Sequence, residues 1–463
     1  MVMKILVRTS LAAATLVIGT SLEVNAQSFT DADGSFRAHV ATICPILAQQ
    51  RDTATDEQDL FLRCNGALSE PLASTTLPGL TAQGDILDQY LGVQNIAQQS
   101  DATTRANRAD QAVAGRISAV SGQLRGRQFA SLVPQRPVIL ASNNPDEISL
   151  PAGPRNRALD GFVTIGGYDG EQDSTSQELG FNQDGFYVAA GLDYAFSERL
   201  IGGGAISYVD GSADFDGIGG TSSGGSLDTE SISLSIFGVF LPDDKWEVNG
   251  LVSVGQADFS NSRIISVIDR NGDAAGGGGQ SDPGSLAVID RVASSDSDAD
   301  TLQLQAGTSY LLYNQGGVSF TPTAEVSYYY ADIGAFSETG AAGLNLSYDS
   351  QEVDSLQLSA GGIWSGTVNA NWGVFLPYAR GRAIFELQDD EQSVRARYTA
   401  AERVSDSTFT ITTNPADETS FDLAVGASAV LPNGFSGFAE YQAVLGLENV
   451  THQAIALGLR VEF

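Results

Sequence analysis

Cysteine, histidine and lysine are almost missing from this chain of 463 residues: cysteine and histidine occur twice each, and lysine only at Lys4 and Lys245. So few thiols and imidazoles leave no material for a zinc cluster or a thiol enzyme, and no cofactor is implied. Cations are scarce as well. Only 24 Lys and Arg stand against 56 Asp and Glu, a formal net charge of −32, and a phosphate-bearing partner requires the opposite balance, so nucleic acid is excluded. Long apolar runs are also lacking. Beyond the N-terminus no stretch reaches the ~20 residues of a membrane-spanning helix, which excludes a helical membrane protein.

What is present falls into regions of different period. The first 26 residues read as an export signal, with Lys4 and Arg8 as the basic head, Leu11 to Leu22 as the apolar core and Val24-Asn25-Ala26 as the cleavage region. In an exported protein Cys44 and Cys64 have only each other as partner, and one intramolecular disulfide is expected. Over 27–130 apolar residues recur at helical spacing. Phe36, Val40, Ile43 and Leu47 form one stripe, and Leu60, Leu62 and Cys64 belong to a second helix that opens on the capping sequence Thr55-Asp56-Glu57-Gln58. Pro45 is expected to bend or end the first of these helices. The longest helical pattern, 101–128, carries Ala106, Ala109, Val113, Ile117, Val120 and Leu124 on one face and Arg105, Arg108, Arg116, Arg125 and Arg127 elsewhere. Five prolines between 134 and 154 mark a linker over 131–158.

From 159 to 463 the period becomes two. In the last segment Gln453, Ile455, Leu457, Leu459, Val461 and Phe463 alternate with His452, Ala454, Ala456, Gly458, Arg460 and Glu462. Twelve such segments are predicted, at 160–168, 184–195, 199–210, 229–240, 245–259, 300–312, 317–330, 352–365, 372–388, 417–430, 435–445 and 451–463. Tight turns at 196–198, 241–244, 313–316, 366–371 and 431–434 alternate with long loops at 169–183, 211–228, 260–299, 331–351 and 389–416. Only the hairpin at 446–450 breaks that rule. A soluble sandwich would pack its apolar face and turn Lys and Glu to water, whereas here the second face is mostly Gly, Ala, Ser and Gln. Aromatic residues gather near strand ends as interfacial girdles: Tyr168, Tyr194, Trp246, Tyr310, Tyr328, Trp364, Trp372 and Tyr441. The expected fold is a twelve-stranded antiparallel transmembrane β-barrel with a small α-helical N-terminal region.

Particular residues point to a family. Gly334-Ala335-Phe336-Ser337-Glu338-Thr339-Gly340, then Leu344-Asn345-Leu346-Ser347-Tyr348-Asp349-Ser350-Gln351 and Asp354-Ser355-Leu356, together with Phe196-Ser197-Glu198-Arg199-Leu200 before Gly202-Gly203-Gly204-Ala205 and the terminal Phe463, resemble the autotransporter β-domain of type V secretion. The resemblance implies a barrel in the outer membrane of a Gram-negative bacterium, in contact with outer-membrane lipid and lipopolysaccharide. It further implies handling by periplasmic chaperones, reading of Phe463 by the barrel-assembly machinery, and a helix that threads the lumen to join barrel and N-terminal passenger. The helix at 101–128 fits that last role. Its 28 residues would span ~42 Å at ~1.5 Å each, and its arginines would meet inward carboxylates such as Asp193, Glu247, Glu325, Asp422 and Glu462. The Pro-rich linker is a departure, since it too could cross in extended form. The passenger is a second departure, being too short for a β-helical adhesin or an enzyme of known type.

Catalytic and metal patterns are weak. Gly220-Thr221-Ser222-Ser223-Gly224 matches a nucleophile elbow but lies in a Gly/Ser loop, with His39 and His452 as the only bases. Asp269, Asn271 and Asp273 open like a calcium loop, without its Gly and closing Glu, and a solvated acidic loop over 260–299 is expected. The sequence therefore predicts a non-enzymatic outer-membrane barrel that anchors or translocates a short helical passenger. Its rival is a stand-alone channel or structural barrel with a periplasmic plug.

Overall fold

A computed structural model describes residues 35–50, 55–65, 89–92, 159–175, 178–218, 224–269, 287–388, 393–404, 408–413, 415–431 and 435–462. Twelve long strands form its wall. They are β1 (Leu159–Gln172), β2 (Phe181–Ala195), β3 (Leu200–Phe215), β4 (Gly225–Phe240), β5 (Trp246–Asp269), β6 (Ala287–Tyr310), β7 (Val318–Ile333), β8 (Gln351–Gly366), β9 (Gly373–Glu386), β10 (Thr419–Val430), β11 (Phe435–Leu445) and β12 (Val450–Glu462). Each pairs antiparallel with its sequence neighbours. The sheet closes where β1 meets β12, in a register that runs from Asp160↔Glu462 to Gln172↔Val450. No edge is left in the wall, so backbone groups at membrane depth find partners within the sheet.

Polarity across the wall is inverted relative to a soluble protein. Ile232, Leu234 and Ile236 on β4, Val248, Val252 and Val254 on β5, Leu423 and Val425 on β10, and Ile455, Leu457 and Leu459 on β12 are all exposed, Leu459 by 73%. Between them Ser235, Glu247, Ser253, Gln303, Ser359 and Asp422 face inward and are buried. Rings gather at the rim of short turns, where Tyr194 meets Phe196 at 5.1 Å, Trp246 meets Tyr310 at 5.0 Å and Phe320 meets Trp364 at 4.5 Å. Amphipathic rings of this kind sit at the headgroup level.

At the other rim the strands run well past the expected segments. β5 and β6 have 24 residues each, which at ~3.4 Å per residue and a tilt of ~40° rise roughly 60 Å, more than twice the ~25 Å apolar band. Strands thus reach into the predicted loops, taking 211–215 and 225–228 of 211–228, 260–269 and 287–299 of 260–299, and 331–333 of 331–351. In these extensions alternation keeps its phase but changes its chemistry. On β5 the outward positions pass from Val254 to Gln256, Asp258 and Ser260, while the inward ones pass from Ser253 to Ala257, Phe259, Ile265 and Val267. The wall is oily outside at membrane depth and oily inside above it.

Within the lumen large rings lie across glycines of the next strand. A Cβ on Gly166 would meet Tyr187 Cζ at 2.2 Å, and one on Gly185 would meet Tyr168 Oη at 2.4 Å. Tyr168 is therefore lumen-facing and 2% exposed. It is not a girdle residue, because β1 turns its even-numbered positions inward. Much of the small inner face is thus a bed on which rings lie flat against the wall.

Two outward substitutions test the change of surface. Leu234→Arg, at the middle of the apolar band, is expected to destabilise the barrel by ~2–4 kcal/mol. Asp258→Arg, on the same face above the band, is expected to stay within ~0.5 kcal/mol of the parent in urea unfolding from lipid vesicles.

Candidate functional site

The mouth at the rim of long connections holds the N-terminal helices. Helix α1 (Ser35–Gln50) and helix α2 (Thr55–Asn65) are joined by the Cys44–Cys64 disulfide, with Cα atoms 5.5 Å apart. α2 starts at Thr55, at the capping sequence. α1 runs through Pro45, contrary to expectation. The missing N–H costs one backbone bond, yet Phe36, Val40, Ile43 and Leu47 on both sides of the proline are buried in one continuous core, and the cystine holds the adjacent turn. That core also contains Leu60, Cys64, Tyr90 and Leu91 from the N-terminal region, and Phe259, Ile265, Val267, Ile289, Ile333, Leu344, Tyr348, Tyr398 and Phe409 from the barrel and its rim. Helices and wall share one hydrophobic interior.

Rim connections complete the seat. Residues 336–337, 346–348, 393–398 and 409–412 form a four-stranded sheet over the mouth. The 334–350 connection is pinned to β6 by backbone bonds between Ser294 and Thr339 of 2.8 and 2.9 Å. Gly343 brings this connection against α2 so closely that a Cβ there would lie 2.5 Å from the Leu60 nitrogen. The stretch 334–351, which carries the family resemblance, is thus the floor on which α2 rests.

Two arginines fasten these parts. Arg263 of β5, fully buried, donates Nε to Glu338 Oε1 at 2.9 Å, Nη1 to the Gln89 carbonyl at 2.6 Å and Nη2 to the Leu344 carbonyl at 3.0 Å. Glu338 Oε2 accepts from the Leu346 amide at 2.8 Å. Arg291 of β6 makes a bidentate pair with Asp59 of α2, at 2.6 and 2.9 Å, and donates to the Ala341 carbonyl at 2.9 Å. Asp59 also accepts from the Gly343 amide at 3.1 Å. Gln89 donates to the Ile218 carbonyl at 3.1 Å and accepts from the Ser266 amide at 2.7 Å. Tyr398 and Tyr348 donate their hydroxyls to the carbonyls of Tyr90 and Gly92, both at 3.2 Å. Burying such charges is tolerable only because nearly every polar atom has a partner.

Further down, the lumen wall is acidic. Asp160, Asp193, Glu247, Glu325, Asp422 and Glu440 face it against Arg380, Arg382 and Arg460. Arg382 joins Asp422 at 2.7 Å to Glu325 at 3.3 Å, Arg380 reaches Glu440 at 3.2 Å, and Arg460 pairs with Asp160. Four expected inward carboxylates, Asp193, Glu247, Glu325 and Asp422, do line this wall. The side chain of Glu462 lies outside the described residues, as do Arg105, Arg108, Arg116, Arg125, Arg127, Ser222 and Phe463. Among the described residues no group of three or more His, Cys, Asp or Glu could hold a metal, and no helix is long and apolar enough to cross a membrane.

The family profile described as "Autotransporter beta-domain" matches residues 161–442. The chain belongs to the autotransporter β-domain family. It is an outer-membrane barrel. Solved autotransporter structures resemble it in fold at low identity. The translocator domain of NalP from Neisseria meningitidis has a TM-score of 0.49 and 16% identity, covering 75% of this chain and 98% of that one. The β-domain of the Bordetella autotransporter BrkA has 0.43 and 14%, covering 66% and 100%. The transport unit of AIDA-I from Escherichia coli has 0.41 and 12%, covering 73% and 98%. No curated protein matches the chain.

The seat leaves little trace in the sequence. Arg263 and Arg291 lie in the stretch read as a solvated acidic loop, and Asp59 follows a capping sequence. The available signal was period two continuing through Arg263, Ile265 and Val267 and through Ile289, Arg291 and Ala293. Removing one partner of a buried pair is expected to cost ~3–5 kcal/mol. Arg291→Ala should therefore expose α1 and α2 to protease at markedly lower urea than the parent, and Arg291→Ala with Asp59→Leu should recover part of the loss. Unchanged protection in the single variant would contradict the pairing.

Proposed function

We propose that this autotransporter barrel translocates its own short N-terminal segment and keeps it, uncleaved, as an outward-facing cap. The observation that carries the reading is the position of the two ends of the connecting chain. Gly92 is bonded at the mouth with the long connections, the external rim in barrels of this kind, while Leu159 opens β1 at the rim of short turns. Residues 93–158 therefore join opposite rims, and a backbone cannot cross hydrocarbon unpaired outside the wall. The lumen is the remaining route.

In this reading residues 1–26 are the removed signal peptide, 27–130 the helical N-terminal region, 131–158 the linker and 159–463 the barrel. The helix expected at 101–128 crosses the lumen, its arginines at 105, 108, 116, 125 and 127 facing a wall in which carboxylates outnumber guanidinium groups. A cation-bearing helix in an acidic tube gains pairing in low dielectric, where a mismatched charge is costly. Phe463 is the signal for the barrel-assembly machinery. No chemical step is assigned: His39 is enclosed by aromatic rings and His452 faces the lumen.

Protease and antibody access to an epitope within 30–70 tests this. On intact cells the epitope is expected to be reachable, and cleavage there should leave the barrel in the membrane. Access gained only after the outer membrane is opened would instead support a periplasmic plug.

A further inference from the structure

His39 stands out among the groups that the proposed function does not use. It lies on α1, is 3% exposed, and packs between Tyr398, at 5.7 Å and nearly parallel, and Phe409, at 5.0 Å. Those two rings belong to the rim sheet, so the imidazole fills the joint between cap and barrel. Among the described residues neither ring nitrogen has a hydrogen-bond partner. A neutral imidazole in such a place already forgoes two bonds that water would supply, and an imidazolium there would be a desolvated charge with no acceptor.

The charged groups on neighbouring elements whose side chains are described are turned elsewhere. The 409–412 strand carries none. On the 393–398 strand Val394, Ala396 and Tyr398 face the core, whereas Arg395 is exposed on the other face and Arg397 pairs with Glu402 at 3.6 Å. α2 carries Glu57, which pairs with Arg403 at 3.6 Å, Asp59, which is held by Arg291, and Arg63 beside Asp59. Asp56, at the start of α2, is exposed. On α1 the one other charged residue is Arg37. Tyr398, the titratable group in contact, is held above its ordinary value by burial and stays neutral. No carboxylate among these is engaged with the imidazole, and a proton arriving there would be uncompensated.

We propose that His39 is an acid-sensitive latch, and that its protonation releases the cap from the barrel mouth. The inference rests on the cap being docked as described, and it adds a condition under which docking fails. Burial lowers the His39 pKa from 6.5 to about 4 in the docked state. Once released, the ring meets water and its ordinary pKa returns. The released state therefore binds the proton more readily. The latch is fully closed above pH ~6.5, the docking constant falls up to about tenfold per pH unit below that, and it levels off near pH ~4, a total of about 300-fold. The negative faces of the two rings offset only part of the lost hydration of an imidazolium.

The test uses full-length protein folded in lipid nanodiscs, with amide hydrogen exchange of α1 followed from pH 7.5 to 4.5 and corrected for intrinsic exchange chemistry. In the parent, protection of 36–47 is expected to fall steeply below pH 6.5, and in His39→Phe it should be nearly flat over the same range. Equal pH dependence in parent and variant, or none in either, overturns the latch. If His39→Phe does not fold, ring-carbon NMR of histidine-labelled His452→Gln protein decides. A single imidazole titrating near 4 while α1 is protected supports the latch, and one titrating near 6.5 under the same protection overturns it. An α1 unprotected even at pH 7.5 would overturn the docked cap itself, and the latch with it.

Discussion

A peptide group inside hydrocarbon has no water to bond, and the molecule is organised around that constraint. Only a closed sheet meets it with strands, so the pairing of β1 with β12 is the contact on which the rest depends. Closure in turn dictates the alternation. Each strand has one face toward lipid and one toward the lumen, which makes Leu234, Val254 and Leu457 outward residues and Ser235, Ser253 and Asp422 inward ones. The inner face can then be polar without meeting hydrocarbon.

Above the membrane the same strands serve an opposite purpose without a break in register. Once their outer face meets water, aspartate and serine become favourable there, and the inner face is free to be apolar. The N-terminal helices, which could bury little surface alone, find in that apolar cup the core that their short length denies them. Arginine rather than lysine fastens the joint, since a planar guanidinium can hold a carboxylate and one or two carbonyls together, as Arg263 and Arg291 do. Lys245, the one lysine among the described residues, lies in the turn between β4 and β5.

Legibility in the sequence followed these physical divisions. All twelve strands were readable where lipid sets a sharp contrast, as in Ile455, Leu457 and Leu459 against Ala454, Ala456 and Gly458. The extensions were not, because the sign of the pattern reverses there while its phase does not, and Asp, Ser and Gly at outward positions such as Asp258, Ser260 and Asp296 look like loop residues. Helices α1 and α2 and their cystine were legible from local spacing and the shortage of thiols. The seat was hidden, since Asp59 and Arg291 are 232 positions apart and only the closed wall brings them together. Tyr168 differs from its expected place for a related reason: strand-end position suggests a girdle, but one step of parity decides between lipid and lumen.

The seam admits a direct measurement. Cysteines at Ile165 and Leu457, which face each other across β1 and β12, should form a disulfide upon mild oxidation in the membrane, in a background with Cys44 and Cys64 replaced by alanine. A pair one residue out of register, Ile165→Cys with Ala456→Cys, points to opposite faces and should remain open. Efficient linking of the first pair and not the second is the result predicted for a closed wall of this register. No linking of the first pair in folded, membrane-inserted protein would contradict it.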